Sequence, residues 1–148
     1  MNVTRILVGG LLAGVFLTIS EGILNAGILM DDYQAMMEGH GLVEASWAMT
    51  GYVAGTFVFG FAVAFLYAAI RPRFGPGWQT AVIAGLPLWA VGYCVPTIWF
   101  GAMGLLAGPG ATTLALVWGL VEMLIAAMIA GWLYQEGSAA EASVAGRS

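Results

Sequence analysis

Two glutamates lie within long apolar stretches of this 148-residue chain, and they are the side chains best suited to chemistry there. Glu21 occurs in TISEGILNAG and Glu122 occurs in WGLVEML. A carboxylate in hydrocarbon costs several kcal/mol, so each acid is expected to face the interior of a helix bundle, to bind a proton, or both. The pair predicts either a shared proton or cation site, or protonated carboxyls that only link helices by hydrogen bonds.

Polar residues that could complete this site occur on the first and third apolar stretches. Thr18 and Asn25 are three and four residues from Glu21, so an α-helix places them with it on one face. Tyr93 and Thr97 occur together in GYCVPTIWFG. We expect the first and fourth helices to pack together, so that the two acids meet and some of these four polar side chains complete the site.

The third stretch also contains Pro87 and Pro96, which predict a kinked helix. Each proline removes a backbone donor and frees a carbonyl about one turn earlier. Freed carbonyls can bind a substrate or an ion, as in the broken helices of transporters. We favour the other interpretation, a static kink whose carbonyls are satisfied by neighbouring helices.

The composition places the whole chain in a membrane. It is 61% hydrophobic and 8% charged, whereas a soluble domain has roughly 25% charged residues. Four apolar segments, 6–30, 46–70, 78–103 and 112–134, are each long enough to cross a bilayer, and lipid requires them to be helical. We therefore predict an all-α fold, a four-helix transmembrane domain over 1–136, with no room for a soluble catalytic domain.

The charged residues indicate the orientation of the chain. The net charge is −4, with four arginines and no lysine, which excludes a nucleic-acid-binding surface. Arg5, Arg71, Arg73 and Arg147 all fall on one side of a four-span topology, and arginines favour the cytoplasmic side. We expect both termini in the cytoplasm, with 137–148 as a disordered cytoplasmic tail.

The residue types give little support to a cofactor-binding protein or to an enzyme. Cys94 is the only cysteine and His40 the only histidine, so an internal disulfide, a haem held by two histidines and a histidine-rich metal centre are excluded within one chain. No paired nucleophile and base or phosphate-binding loop occurs. We expect no cofactor and no enzymatic activity.

The connector between the first two spans is acidic. It predicts a short amphipathic helix, capped by Asp31 or Asp32, that lays Tyr33, Met36 and Met37 on the membrane. We expect the acidic side chains of this connector to be solvated. A loose site for a divalent cation is the less favoured alternative. Its ligands would be Asp31, Asp32, Glu38 and His40.

Small residues recur at four-residue spacing, as in Gly10 with Gly14 and Gly51 with Gly55. Such stripes let helices approach closely. They predict either packing within the chain, which we favour, or a face for a homo-oligomer or larger membrane complex. Membrane lipid is the partner that the composition itself implies.

Three stretches, ISEGILN, LYAAIRPRFGPG and VWGLVEMLIA, resemble those of small bacterial four-span inner-membrane proteins of unknown function. This resemblance implies a multi-pass protein of the bacterial inner membrane and carries no activity. The size, the span count and the glutamate of the first helix are also similar, at the level of fold only, to the small multidrug resistance transporters. The leading expectation is a structural or accessory membrane protein, and the alternative is a small proton- or cation-coupled transporter that uses Glu21 and Glu122.

Overall fold

The computed structural model describes residues 1–134, which form a bundle of four long helices. The first span is Val3–Ile28, the second Ala48–Phe74, the third Trp78–Ala102 and the fourth Pro109–Leu133. At a rise of about 1.5 Å per residue, each is long enough to cross a hydrocarbon core of about 30 Å. The predicted all-α four-helix bundle is confirmed, with span ends that differ from the predicted ones by up to four residues.

Two spans change their helical winding partway along. The first runs as α-helix over Val3–Gly22 and then as π-helix over Ile23–Ile28. The third is α-helical over Trp78–Trp89, π-helical over Ala90–Cys94 and α-helical again over Val95–Ala102. A π turn closes on the residue five positions back, and such turns occur frequently at functional sites.

A shorter helix, Met30–Gly39, connects the first two spans. This connecting helix agrees with the predicted amphipathic one, and Tyr33, Met36 and Met37 are half-buried. The predicted cap is wrong: the helix begins at Met30 without a side-chain cap, because the chain arrives already helical and Leu29 N–H bonds back to Leu24. The two aspartates lie inside the first turn, where the helix dipole favours negative charge.

The turn between the second and third spans is tighter than the sequence predicts. The second helix continues through Pro72 to Phe74, and only 75–77 leave the helical conformation. Gly75 and Gly77 have φ of +81° and +128°, a region that only glycine adopts at little cost. The two spans therefore pack side by side as the predicted antiparallel hairpin.

Small side chains let the four helices approach closely. Gly60 of the second span lies against the backbone of Gly10 and Gly14, and a Cβ on Gly60 would come within 2.5 Å of Gly10 O. This glycine stripe thus packs within the chain. The buried core beside it consists mainly of alanine with a few larger residues, among them Ala13, Leu17, Val63, Ala64, Ala84, Ala126, Ala127 and Ala130.

Aromatic and polar residues tie the helix ends together on the side opposite the connecting helix. The Asn2 N–H donates to the Tyr134 hydroxyl at 3.0 Å, and the Arg71 guanidinium lies 5.7 Å above the Tyr134 ring. Tyr67 meets Tyr134 edge to face, with ring centroids 6.3 Å apart. The predicted tail 137–148, with Arg147, lies outside the described residues.

Candidate functional site

One tyrosine hydroxyl joins the two membrane-embedded acids. Tyr93 Oη lies 2.5 Å from Glu21 Oε1 and is also hydrogen-bonded to Glu122 Oε1. The three side chains come from the first, third and fourth spans, and the first and fourth spans pack directly against each other. Glu21, Tyr93 and Glu122 therefore form one hydrogen-bonded cluster, which we call the carboxyl cluster.

The number of protons in this cluster follows from the geometry. A phenol has one O–H, so Tyr93 can donate to only one of the two carboxyl oxygens. The other contact also needs a proton, because two oxygens without one would repel each other at hydrogen-bond distance. That proton must belong to Glu21 or Glu122. The arrangement thus holds at least one proton on the acid pair while Tyr93 remains neutral.

Asn25 completes the first-span side of the cluster. Its Nδ2 donates to Glu21 Oε2 and, at 2.9 Å, to the Glu21 backbone carbonyl. Asn25 lies in the π-helical segment of the first span, as Tyr93 lies in that of the third. Both Glu21 side-chain oxygens therefore have partners, and both partners come from irregular backbone.

Gly119 allows Tyr93 to reach the acids. The Tyr93 ring lies flat on the fourth span at Gly119, where an added Cβ would overlap the ring and come 2.8 Å from its Cγ. Gly119 is one turn before Glu122, so the ring and the carboxyl share one face of that helix. In the same way, the Phe59 ring of the second span packs directly against Gly92 of the third span.

Glu122 is the most enclosed member of the cluster. Its side chain is 2% exposed, and Oε2 has no hydrogen-bond partner among the described residues. The Ser20 hydroxyl lies beside this carboxyl, and its oxygen accepts a hydrogen bond from Trp118 Nε1 at 2.9 Å. Glu122 thus lacks a second partner like the one that Asn25 gives to Glu21, and the Ser20 O–H is the nearest donor that could supply it.

The three groups descend from the connecting-helix end toward the middle of the bundle. At about 1.5 Å per residue, Glu21 lies about 8 Å from the middle of its span and Tyr93 about 4.5 Å, both toward the connecting helix. Glu122 lies about 1.5 Å from the middle of the fourth span. The cluster therefore extends along the bundle as well as across it.

Two of the six predicted site residues lie outside the cluster. Thr18 turns toward the second span, where its Oγ1 lies 2.6 Å from Thr56 Oγ1, and it donates to the Gly14 carbonyl at 2.8 Å. Thr97 donates to the Tyr93 carbonyl at 2.7 Å and thus serves the backbone of its own helix. Both hydroxyls are occupied locally, because a threonine in a helix readily bonds to a carbonyl one turn back.

Ser20 is the site neighbour that the sequence analysis missed. It is 8% exposed and lies on the buried face that Ala13 and Leu17 also occupy, four and three residues apart along the helix. This helical spacing is the sequence signal that could have identified Ser20 as a buried residue. Trp118 reaches the neighbouring first span through its hydrogen bond to Ser20, and Trp89 of the third span similarly donates to the Leu116 carbonyl of the fourth at 3.0 Å.

Tyr33 of the connecting helix covers the outer side of the cluster. It packs against the buried side chains of Leu24, Leu29 and Ala111. Burial raises the pKa of the Tyr33 hydroxyl, and the nearby Glu21 carboxylate raises it further. Tyr33 therefore remains a neutral phenol beside Glu21 at physiological pH.

The acidic connector offers no alternative site in the part of the chain that the structure describes. No group of three or more His, Cys, Asp or Glu side chains in residues 1–134 is arranged to hold a metal ion, and His40 Nδ1 bonds to the Met36 carbonyl at 2.8 Å. A surface groove of about 540 Å³ runs between the connecting helix and Trp47. None of the cluster residues lines it.

Comparison with models of protein families, with curated proteins and with solved structures gives no match to this chain.

Proposed function

We propose that this multi-pass membrane protein is a small proton- or cation-coupled transporter in which Glu21 and Glu122 bind and release the coupling ion. One observation carries the proposal. Glu122 is 2% exposed, shares a tyrosine hydroxyl with a second acid, and keeps one carboxyl oxygen without a partner. Ionisable groups buried at this depth in a membrane bundle commonly mark ion and proton pathways.

A proton suits the carboxyl cluster better than a metal ion. Mg²⁺ and Ca²⁺ take six or more oxygen ligands, whereas the cluster supplies four carboxyl oxygens and one phenol, three of them already hydrogen-bonded to one another. A proton needs one oxygen and is stabilised by a second. The hydrogen bonds of Tyr93 hold one proton on the acid pair, and its loss would change the charge of the site by one and break one of these two bonds.

The alternative is a structural or accessory protein in which the acids are protonated links between helices. The environment of Glu21 favours it, because Tyr93 and Asn25 satisfy both of its oxygens. Interhelical hydrogen bonds in membranes contribute about 0.6 kcal/mol each. A glutamine would supply such bonds without the cost of a carboxyl in hydrocarbon. A transporter needs a carboxyl that titrates, so the transport proposal gives a reason for glutamate where glutamine would be less costly.

We further propose that both termini face the cytoplasm of a bacterium, with the protein in the inner membrane. Arg71 lies at the end of the bundle that holds the N-terminal Asn2, and positive charge favours the cytoplasmic side. Glu21 and Tyr93 then lie in the outer half of the membrane, below the connecting helix, and Glu122 lies close to its middle. Lipid, a homo-oligomer or a larger membrane complex remain the proposed partners, and no enzymatic activity or nucleic-acid binding is part of the proposal.

Proton flux into liposomes tests the function directly. The purified protein is reconstituted with a trapped pH-sensitive dye, and a potassium gradient with valinomycin drives protons inward. Wild-type protein should acidify the lumen, and Glu21→Gln with Glu122→Gln should abolish the flux, because glutamine keeps hydrogen bonds but does not titrate. Glu38→Gln, which changes an exposed acid of the connecting helix, is the matched control. Equal flux in wild type, the double variant and protein-free liposomes would refute proton transport by the two acids.

The structural alternative has its own measurement. If the carboxyls only link helices, Glu21→Leu should lower the thermal unfolding temperature in detergent, whereas the double glutamine variant should retain both the stability and every property of the wild-type protein.

A further inference from the structure

We propose that the Tyr93 hydroxyl relays a proton between Glu21 and Glu122, with Glu21 as the end that exchanges protons with the membrane surface beside the connecting helix. This inference rests on the proposed function and assigns a separate role to each member of the cluster. It follows from three observations: the shared hydroxyl, the difference in burial, and the depth of the three groups.

The shared hydroxyl permits two arrangements of the same protons. In one, Glu122 carries a proton on Oε1 and donates it to Tyr93 Oη, while the phenol donates to ionised Glu21. In the other, Glu21 carries the proton and the phenol donates to ionised Glu122. One concerted step connects them. The O–H bond of Glu122 breaks as one forms at Tyr93 Oη, and the former phenol O–H bond breaks as one forms at Glu21 Oε1.

This step needs no additional reactant. Tyr93 is neutral before and after it, the number of protons is unchanged, and the negative charge moves from Glu21 to Glu122. The Tyr93–Glu21 oxygen pair is 2.5 Å apart, which is at the short end for an O–H···O bond to a carboxylate. Short separations of this kind bring donor and acceptor within direct transfer distance.

The direction of exchange follows from burial and depth. Glu21 is half-buried, whereas Glu122 is 2% exposed. Glu21 lies about 8 Å from the middle of its span toward the connecting helix, whereas Glu122 is within about 1.5 Å of the middle of its own. Tyr33, the titratable group that the connecting helix brings toward Glu21, lies on that same side. Protons therefore reach Glu122 through Glu21 and Tyr93.

The opposite side of Glu122 is closed by apolar packing. Leu17, Ala126, Ala127 and Ala130 each have at most 1% exposure and fill the bundle beyond the cluster. The second span packs against the third near Tyr93 through the apolar ring of Phe59. The relay thus ends at Glu122, and a proton there returns by the same route until the helices rearrange.

Exchange of the buried carboxyl proton for deuterium tests the relay. Infrared spectra of the reconstituted protein after transfer to D2O follow the C=O stretch of protonated Glu122, assigned by its loss in Glu122→Gln. Tyr93→Phe keeps the ring that lies on Gly119 and removes only the hydroxyl. It should slow both this exchange and the proton flux by about a hundredfold, the lower end of what a positioned proton-transfer group contributes. Tyr52→Phe, at a 63% exposed tyrosine, should change neither.

Glu21→Gln provides a second variant that does not depend on how Tyr93→Phe folds. It should also slow deuterium exchange at Glu122, because the exchanging end of the relay is lost. A merely structural role for Tyr93 predicts the opposite, since loosened packing would admit water and speed the exchange.

The outcomes separate the relay from the function. Wild-type rates of exchange and flux in Tyr93→Phe would overturn the relay, and if the double glutamine variant still lost its flux, the transport proposal would stand. Absence of flux in the wild-type protein would end the transport proposal, whereas slow exchange at Glu122 in both Tyr93→Phe and Glu21→Gln would still support proton transfer through the hydroxyl. Fast exchange at Glu122 in Glu21→Gln would refute the assignment of Glu21 as the outer end.

Discussion

Replacement of Gly119 by alanine should displace Tyr93 from the two acids while leaving every polar group of the cluster in the chain. The added Cβ would overlap the Tyr93 ring and lie 2.8 Å from its Cγ, a separation that carbon atoms in real structures do not adopt. The ring cannot shift sideways without breaking its contacts to both carboxyls, since one hydroxyl serves both. The third span must therefore move away from the fourth, or the ring must leave the site.

The cost of this change can be estimated from overpacking. An extra methyl in a well-packed core destabilises a protein by about 1–3 kcal/mol. Displacement of the hydroxyl also leaves at least one carboxyl without its partner, which adds about 1–3 kcal/mol. Glycine to alanine in a helix interior otherwise stabilises by up to about 1 kcal/mol. Gly119→Ala should therefore be clearly destabilising, against the trend of helix propensity.

Thermal unfolding in detergent, followed by circular dichroism, measures the effect. Gly55→Ala is the matched control, because it adds the same methyl to a spanning helix where nothing lies within 4 Å. It should be neutral or stabilising. Gly119→Ala combined with Tyr93→Ala should cost less than the sum of the two single changes, since the methyl then enters vacated space. Full additivity, or an unfolding temperature of Gly119→Ala at or above that of wild type, would refute the placement of Tyr93.

Two further substitutions test the packing around the site. Gly60→Ala should destabilise the protein by at least about 1–3 kcal/mol, because its Cβ would lie 2.5 Å from backbone atoms of the first span, which cannot rotate away; unfolding at the temperature of Gly55→Ala would contradict this contact. Tyr67→Phe should cost about 0.5–1.5 kcal/mol, because it removes the acceptor of the Gly77 N–H at 3.1 Å. Proton flux should remain unchanged in Tyr67→Phe, and a loss of flux would mean that this end of the bundle takes part in transport.

The number and positions of the spans could be predicted from the sequence because lipid leaves an apolar segment no alternative to helix. The residues at which the helices end could be predicted less accurately. The second helix runs four residues further than predicted, to Phe74, since a proline in the last turn of a helix loses only one hydrogen bond and the chain turns at Gly75 instead. Turn glycines specify a reversal but not the residue at which the helix stops.

The acids of the site could be identified from the sequence, but not all of their partners. Glu21 and Asn25 are linked by helical spacing, which is a local property. The contact between Glu21 and Glu122 through Tyr93 depends on how three helices are rotated about their axes, and that rotation is set by packing. Thr18 also lies one helical turn from Glu21, yet its hydroxyl contacts Thr56 of the second span and the Gly14 carbonyl, because helical spacing fixes the face of a side chain but not the neighbour that packing brings to it.

The π-helical segments explain why the rotation of the third span could not be predicted. A π turn inserts one extra residue, which turns every later side chain by about 100° relative to a continuous α-helix. Val95 N–H bonds to Ala90, five residues back, so Tyr93 lies within such a turn. Regular winding from Trp78 would direct it to another face.

The same geometry relates the fold to the proposed transport. The fourth span is regular α-helix from Pro109 to Leu133, so Glu122 and Gly119 form a fixed side of the site. Tyr93 and Asn25 both project from π turns, in the third and first spans, and such turns occur frequently at functional sites. Under the proposed function, the regular fourth span therefore holds Glu122 in place, while irregular backbone positions the two side chains that hydrogen-bond to Glu21.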